Sequence, residues 1–206
     1  LFIYTLASSG YRNGGFNGGS GLLGIPPSTY ESDSVWNYEL GVRASLLDGR
    51  AKANATVYRI DWDDIQLSGF DQGIPVGTTN AGKARINGLE VELSFLATDN
   101  LSLSINYAYV DASFVEDYLI NPADPLTLVA SKGDRLPGSS KTSASFFVDW
   151  TAPLTSEIDI SIGADYRYVG DRLNELGAGF GPSPSYSIVD INAGLLLKNG
   201  FYATLY

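Results

Sequence analysis

The chain has 206 residues, of which 44% are hydrophobic and only 17% charged, against roughly 25% charged in an ordinary soluble domain. Lysine and arginine number 13 and the acidic residues 23, a formal net charge of −10, which argues against a general nucleic-acid binder, since phosphate must be met by basic surface. There is no cysteine and no histidine, so disulfides, thiolate metal sites, a Ser-His-Asp triad and a zinc–histidine site are excluded within this chain, and the hydrophobic share is too high for a disordered acidic chain.

The chain opens on Leu1-Phe2-Ile3-Tyr4 and stops on Phe201-Tyr202-Ala203-Thr204-Leu205-Tyr206. Both ends read as strand interiors, and no signal peptide is visible, so a piece of a longer protein is expected. No apolar run approaches the ~18 residues of a transmembrane helix. The remaining classes are a soluble all-β protein and a membrane β-barrel.

Taken in chain order, the first clear segment is 35–46. Trp36, Tyr38, Leu40, Val42, Ala44 and Leu46 alternate there with Asn37, Glu39, Gly41, Arg43 and Ser45. A period of two is that of a strand, whose successive side chains point to opposite faces. Asp48-Gly49 marks a hairpin turn, and Ala51, Ala53, Ala55 and Val57 line one face of the return strand. The pattern recurs with Leu89, Val91, Leu93 and Phe95, then with Leu101, Leu103, Ile105, Tyr107 and Tyr109. It returns in Ala144, Phe146, Val148 and Trp150, in Ile158 to Tyr168, and in Val189 to Leu197, with Phe147 and Leu196 as large exceptions on the second face. No window has a 3.6-residue period, so no substantial helix is expected.

Short turns near 48–49, 98–100, 152–156 and 198–200 alternate with long polar stretches near 12–33, 66–80, 112–140 and 170–185. About nine strands in an up-and-down sheet, with all the short turns at one end, would give this order. So would an outer-membrane barrel, with short periplasmic turns and long extracellular loops. A soluble sandwich would also alternate, but three features favour the membrane. The strands run about 10–14 residues, longer than the usual ~5–6. Trp36, Tyr38, Tyr107, Tyr109, Tyr166 and Tyr168 all fall at the long-loop ends of their strands on the apolar face, as an aromatic girdle does. The other face carries Glu39, Arg43, Lys52, Glu90, Glu92, Asp149, Asp165, Arg167 and Asp190, which suit a watery lumen. Arg59 and Asp61 break the sorting; they follow an expected phase change near Val57-Tyr58, close to the long-loop end, where a charge costs little or a bulge resets the facing.

Four ordered stretches resemble the carboxy-terminal barrel of TonB-dependent outer-membrane receptors. They are Tyr11-Arg12-Asn13-Gly14-Gly15-Phe16-Asn17, the run from Asn37-Tyr38-Glu39-Leu40-Gly41-Val42-Arg43 through Asp48-Gly49-Arg50 to Gln66, Asn80-Ala81-Gly82-Lys83-Ala84-Arg85-Ile86-Asn87-Gly88-Leu89-Glu90-Val91-Glu92, and Gly133-Asp134-Arg135-Leu136-Pro137-Gly138. The resemblance implies an all-β, antiparallel, up-and-down transmembrane barrel of about 22 strands, plugged by a separate amino-terminal domain. On it, residues 1–206 hold about nine strands of a partial barrel domain, without the plug, the TonB-binding segment or the final strand. It implies active uptake of a scarce, bulky nutrient, above all a ferric siderophore, energised through TonB, with no reaction catalysed and no cofactor. The partners it implies are that ligand, TonB, the protein's own plug, and outer-membrane lipid and lipopolysaccharide. Cobalamin or glycans as cargo, a passive porin-like channel, and an outer-membrane enzyme or adhesin stay open as alternatives.

Candidate sites are few. Gly14 to Gly21 imitates a phosphate loop but lacks the G-K-[ST] ending and reads as an external loop. Asp61-Trp62-Asp63-Asp64 offers hard oxygen ligands but not the spacing of a calcium loop, and reads as an acidic strand–loop junction near lipopolysaccharide-bound divalent ions. Glu90 and Glu92 share a face and read as lumen lining that meets Arg43, Arg167 or the plug. Arg12, Tyr30, Phe70, Tyr118, Arg135, Arg172 and Phe180 lie in external loops, where arginine and aromatics suit an anionic or aryl iron chelate.

Overall fold

The computed structural model describes residues 1–19, 27–71, 74–119, 128–174, 176 and 181–206. The period-two segments become nine strands: β1 (Phe2–Arg12), β2 (Asp33–Leu46), β3 (Ala51–Asp63), β4 (Ala84–Thr98), β5 (Leu101–Phe114), β6 (Thr142–Pro153), β7 (Ile158–Val169), β8 (Tyr186–Leu197) and β9 (Tyr202–Leu205). Each pairs antiparallel with its neighbour in sequence, which makes one nine-stranded up-and-down sheet. Short turns join β2 to β3, β4 to β5, β6 to β7 and β8 to β9 at one end. At Leu47-Asp48-Gly49 the chain reverses through three positive-φ residues, the backbone that an Asp-Gly turn accommodates.

Pairing fixes which residues share a face. Leu40, Val57, Leu89 and Tyr109 stand in one row of cross-strand partners. Val42, Ala55, Val91, Tyr107, Ala144 and Tyr168 stand in the next row of that face. The opposite face carries rows such as Arg43, Asn54, Glu92, Asn106, Ser145 and Arg167. Phe147 stands there beside Ser104 and Asp165, and Leu196 beside Asp159. The apolar face is open: Leu40, Val57, Ile105, Phe146, Ile162 and Ile191 are all exposed, and among the described residues no second layer covers them. A patch of this extent is out of place against water and suits a bilayer. On the polar face the rings of Tyr4 and Tyr58 lie across Gly41 and Gly88, where an added Cβ would come within 2.2 and 2.0 Å of them. Aromatic cover of a strand glycine restores the contact that its missing side chain gives up.

The aromatic rim runs diagonally through the ladder. It lies at Trp36 and Tyr38 on β2, but at Tyr166 and Tyr168 on β7, whose rows meet β2 at Ala44 and Val42. That is a stagger of six residues over five strand-to-strand steps. At ~3.3 Å per residue and ~4.8 Å between strands, a level rim requires strands tilted by about 40°. Transmembrane barrels tilt by ~35–45°.

The expected phase change at Val57-Tyr58 does not occur. Pairing of β3 with β2 and β4 is continuous, with Arg59 opposite Tyr38 and Asn87, and Asp61 opposite Trp36 and Arg85. Arg59 and Asp61 therefore stay on the face of Tyr38 and Leu40. Their surroundings change instead, because the strand has reached the rim and leaves the hydrocarbon. The inner face changes in the complementary sense: Trp62, Ala84, Ile86, Val110, Ala112 and Phe114 make it apolar there, and Ile65, Ala81, Tyr118, Ala130 and Leu136 from the long loops pack on it. The described buried core is this cluster, not the middle of the sheet.

In the full-length parent, spin labels at Leu40, Leu103 and Ile160 should collide with oxygen dissolved in lipid. Labels at Glu39, Ser104 and Ser161 should collide with a water-soluble relaxant, and equal water access for both sets would contradict the membrane-facing assignment.

Candidate functional site

The long-loop end is held by a buried carboxylate. Asp33, first residue of β2, is 2% exposed. The guanidinium of Arg12, last residue of β1, donates to both its oxygens, the Trp62 indole N–H donates at 2.9 Å and the Gln66 amide at 3.2 Å. Arg12 also stacks 5.1 Å from the centre of the Trp62 ring. Burial pushes the Asp33 carboxyl up, but the hydrogen bonds from Arg12, Gln66 and Trp62 outweigh it and hold it below its ordinary range. Four polar side chains then stitch loop to loop. Gln66 Nε2 donates to the carbonyls of Asn13 and Glu31. Asn80 donates to the carbonyls of Glu31 and Asp64 and accepts from the Glu31 amide. Asn17 exchanges two hydrogen bonds with the backbone of Thr78, and Arg135 reaches the carboxylate and carbonyl of Asp171.

Below this mouth, Tyr4, Asn37, Glu39, Arg43, Asn54, Thr56, Tyr58, Ile60, Glu90 and Glu92 line a groove of about 620 Å³ on the polar face. Three glutamates face one arginine there, so the groove is acidic. Asn37 donates to Glu39 at 2.6 Å and Asn54 to Glu92 at 3.1 Å. Arg43 lies 5.4 Å from the centre of the Tyr4 ring. A shallower hollow of about 310 Å³ leads from Glu90 and Glu92 past Asn106 to Arg167, which pairs with Asp165 at 2.7 Å and Asp190 at 3.6 Å. Lys52 stands apart from the groove, opposite Ser45 and Ser94 on that same face.

The loop residues singled out from the sequence are dispersed. Arg12 is engaged by Asp33. The Tyr30 ring covers Gly15. Tyr118 is 4% exposed, stacked on Phe114 and hydrogen-bonded to Thr79; its burial pushes the phenol up. Arg135 binds Asp171, the sequence neighbour of Arg172, and Arg172 pairs through its backbone with Ser140 and Ser183. The Phe70 side chain and Phe180 lie outside the described residues. So do Ser20 and Gly21 of the glycine run, whose Gly15–Asn17 is a strand paired with Ser28–Tyr30. The carboxylates of the Asp61–Asp64 run diverge, Asp61 to Arg59 and Arg85 and Asp63 to Lys83, and no three such ligands converge among the described residues. Sequence reasoning missed Asp33. Its only signal was an arginine and an aspartate closing opposite ends of one loop.

The family model described as TonB dependent receptor-like, beta-barrel matches residues 1–206. The chain belongs to this family. Its members are outer-membrane β-barrels, and the relatives found are transport receptors rather than enzymes. The metal-pseudopaline receptor CntO of Pseudomonas aeruginosa is 27% identical over 191 residues, 93% of this chain and 24% of that protein. The ferric yersiniabactin uptake receptor FyuA from Yersinia pestis superposes with a TM-score of 0.70 at 22% identity, over 93% of this chain and 27% of that one. The ferric preacinetobactin receptor BauA of Acinetobacter baumannii gives 0.65 at 14% identity, over 94% and 27%. The chain thus spans about a quarter of the length of these relatives.

Asp33 has a lowered folded pKa, so its stabilising effect is full above its unfolded value, ~3.9, and is lost as pH falls from there through the lowered value. In the full-length receptor, Asp33→Ala should lower the hydrogen-exchange protection of the Gln66 amide about 5- to 150-fold, equivalent to ~1–3 kcal/mol for buried donors left unpaired. The parent should lose the same protection as pH falls from about 4 through the lowered Asp33 value, and unchanged protection in both cases would remove Asp33 from its central place.

Proposed function

We propose that the complete receptor takes up a scarce metal chelate, above all a ferric siderophore, across the outer membrane with energy delivered through TonB. Family membership over the whole chain carries this reading, together with metal-chelate receptors among the relatives. The geometry is compatible with it in two respects. The loops are stitched into a formed mouth, which holds capture groups at low entropic cost. The groove beneath, with Glu39, Glu90 and Glu92, faces the space a plug would occupy and suits a basic segment of that plug. No reacting group is required of this segment; its part is to hold a wall and a mouth.

Cells carrying the full-length receptor should accumulate a cognate ferric chelate from a panel of iron chelates, cobalamin and glycans. Accumulation should fall to background with a proton uncoupler or without TonB. Uptake indifferent to both treatments would favour a passive channel, and uptake confined to cobalamin or a glycan would replace the siderophore.

A further inference from the structure

Asparagine followed by glycine occurs four times in the chain, at Asn13-Gly14, Asn17-Gly18, Asn87-Gly88 and Asn199-Gly200. In such a pair the backbone nitrogen of glycine, unshielded by a side chain, comes within reach of the asparagine Cγ. The fold restrains three of the four. Asn17 donates to Ser28 Oγ at 3.1 Å and to the Thr78 carbonyl at 2.8 Å, and accepts from the Thr78 amide at 2.9 Å, so its amide group cannot turn onto Gly18 without breaking them. Asn87 and Gly88 lie in β4 between β3 and β5, Asn87 opposite Arg59 and Asp111 and Gly88 opposite Tyr58 and Val110. A central strand engages its backbone amides on both sides and stays extended. In the β8–β9 turn the Gly200 amide donates to the Leu197 carbonyl at 2.9 Å, and Asn199 Oδ1 accepts from the Phe201 amide at 3.2 Å.

Asn13-Gly14 is held differently. It joins β1 to the short strand Gly15–Asn17, and both residues are exposed. Among the described hydrogen bonds neither the Asn13 amide group nor the Gly14 N–H has a partner. The Asn13 carbonyl does, accepting from Gln66 Nε2 at 3.0 Å. That donation draws charge from the Asn13–Gly14 peptide and makes its N–H more acidic, which favours attack by its nitrogen. Nor can the glycine be exchanged: a Cβ on Gly14 would lie 2.5 Å from the Tyr30 carbonyl oxygen and 2.9 Å from the Glu31 carbonyl carbon. The close crossing of these segments at the mouth therefore requires the residue that leaves Asn13 unprotected.

We propose that Asn13 is a self-modification site, at which the folded receptor converts asparagine to aspartate and isoaspartate with water as co-reactant. The Gly14 nitrogen bonds to Asn13 Cγ, the Cγ–Nδ2 bond breaks, and ammonia leaves carrying the Gly14 amide proton. Water then opens the cyclic imide, at Cγ to give aspartate or at the backbone carbonyl to give isoaspartate. Either product places a new carboxylate next in sequence to Arg12, where it competes with Asp33 for the guanidinium. The isoaspartyl product also routes the main chain through the former side chain, and turns the carbonyl that Gln66 holds into a carboxylate off the main chain. The change loosens the Asp33 junction. It is independent of cargo, so its failure would leave the transport reading untouched.

The test ages the purified full-length receptor in heavy-oxygen water at mildly alkaline pH, which withdraws the Gly14 amide proton, and maps its peptides by mass spectrometry after digestion in acid. The Asn13 peptide should take up heavy oxygen, in part as an isoaspartyl peptide that isoaspartyl methyltransferase labels. It should do so about tenfold or more faster than the Asn17, Asn87 and Asn199 peptides, whose hydrogen bonds must first open. In denaturant the four should convert at similar rates. Ageing should lower the hydrogen-exchange protection of the Gln66 amide about fivefold, the equivalent of one lost hydrogen bond. Asn13→Gln and Asn13→Ala, which do not readily form the imide, should keep their protection through the same ageing. An unmodified Asn13, equally fast conversion at Asn17, Asn87 or Asn199 in the folded receptor, the same ranking in denaturant, unchanged protection in the aged parent, or equal loss of it in the variants would each overturn the proposal.

Discussion

The antiparallel ladder, in constant register from the rim down to a bulge at Leu96–Thr98 beside the β4–β5 turn, governs the rest of the structure. A bilayer offers no water to strand N–H and C=O groups, so a membrane-crossing sheet must satisfy them between strands. Once β1 to β9 are paired in sequence, side-chain direction is no longer adjustable. Every polarity change along a strand must then come from what surrounds it. This is why β3 can carry Ala53, Ala55 and Val57 and then Arg59 and Asp61 on one face. The residues do not turn; the medium changes.

The same boundary accounts for the mouth. Above the rim the outer face meets water and headgroups, so it takes charges. The inner face loses the aqueous lumen and receives the loops, so it takes Trp62, Ile86, Ala112 and Phe114. The small core and the Asp33 junction sit together at this inversion. Asp33 draws the end of β1, the indole of β3 and the start of the next loop onto one carboxylate. The loops consequently stand on a packed base, and the acidic groove opens below them.

Much of the fold was legible because a period of two is written directly in residue order. Trp36 to Leu46 shows it without any tertiary information, and the alternation of short and long connections gives the topology. The facing of Arg59 and Asp61 was not legible, since a bulge and a change of medium leave the same trace in one strand. Only the partners Tyr38 and Arg85 separate them. The candidate site was less legible still. Tyr118 and Arg135 look like exposed loop groups in sequence, yet one is packed on Phe114 and the other clamps Asp171. Loop contacts join residues far apart in the chain, as Asn17 joins Thr78, and no local pattern encodes such pairs.

Inversion at a fixed register is tested most directly on β3 of the full-length receptor in a bilayer containing nickel-chelating headgroup lipids. Single spin labels at Val57, Tyr58, Arg59, Ile60 and Asp61 would be relaxed by nickel only on the outer face. Strong relaxation at Arg59 and Asp61, weak relaxation at Tyr58 and Ile60, and oxygen access without nickel at Val57 are the expected results. Relaxation at Tyr58 and Ile60 instead would mean that the strand resets its phase there, and would contradict the continuous ladder.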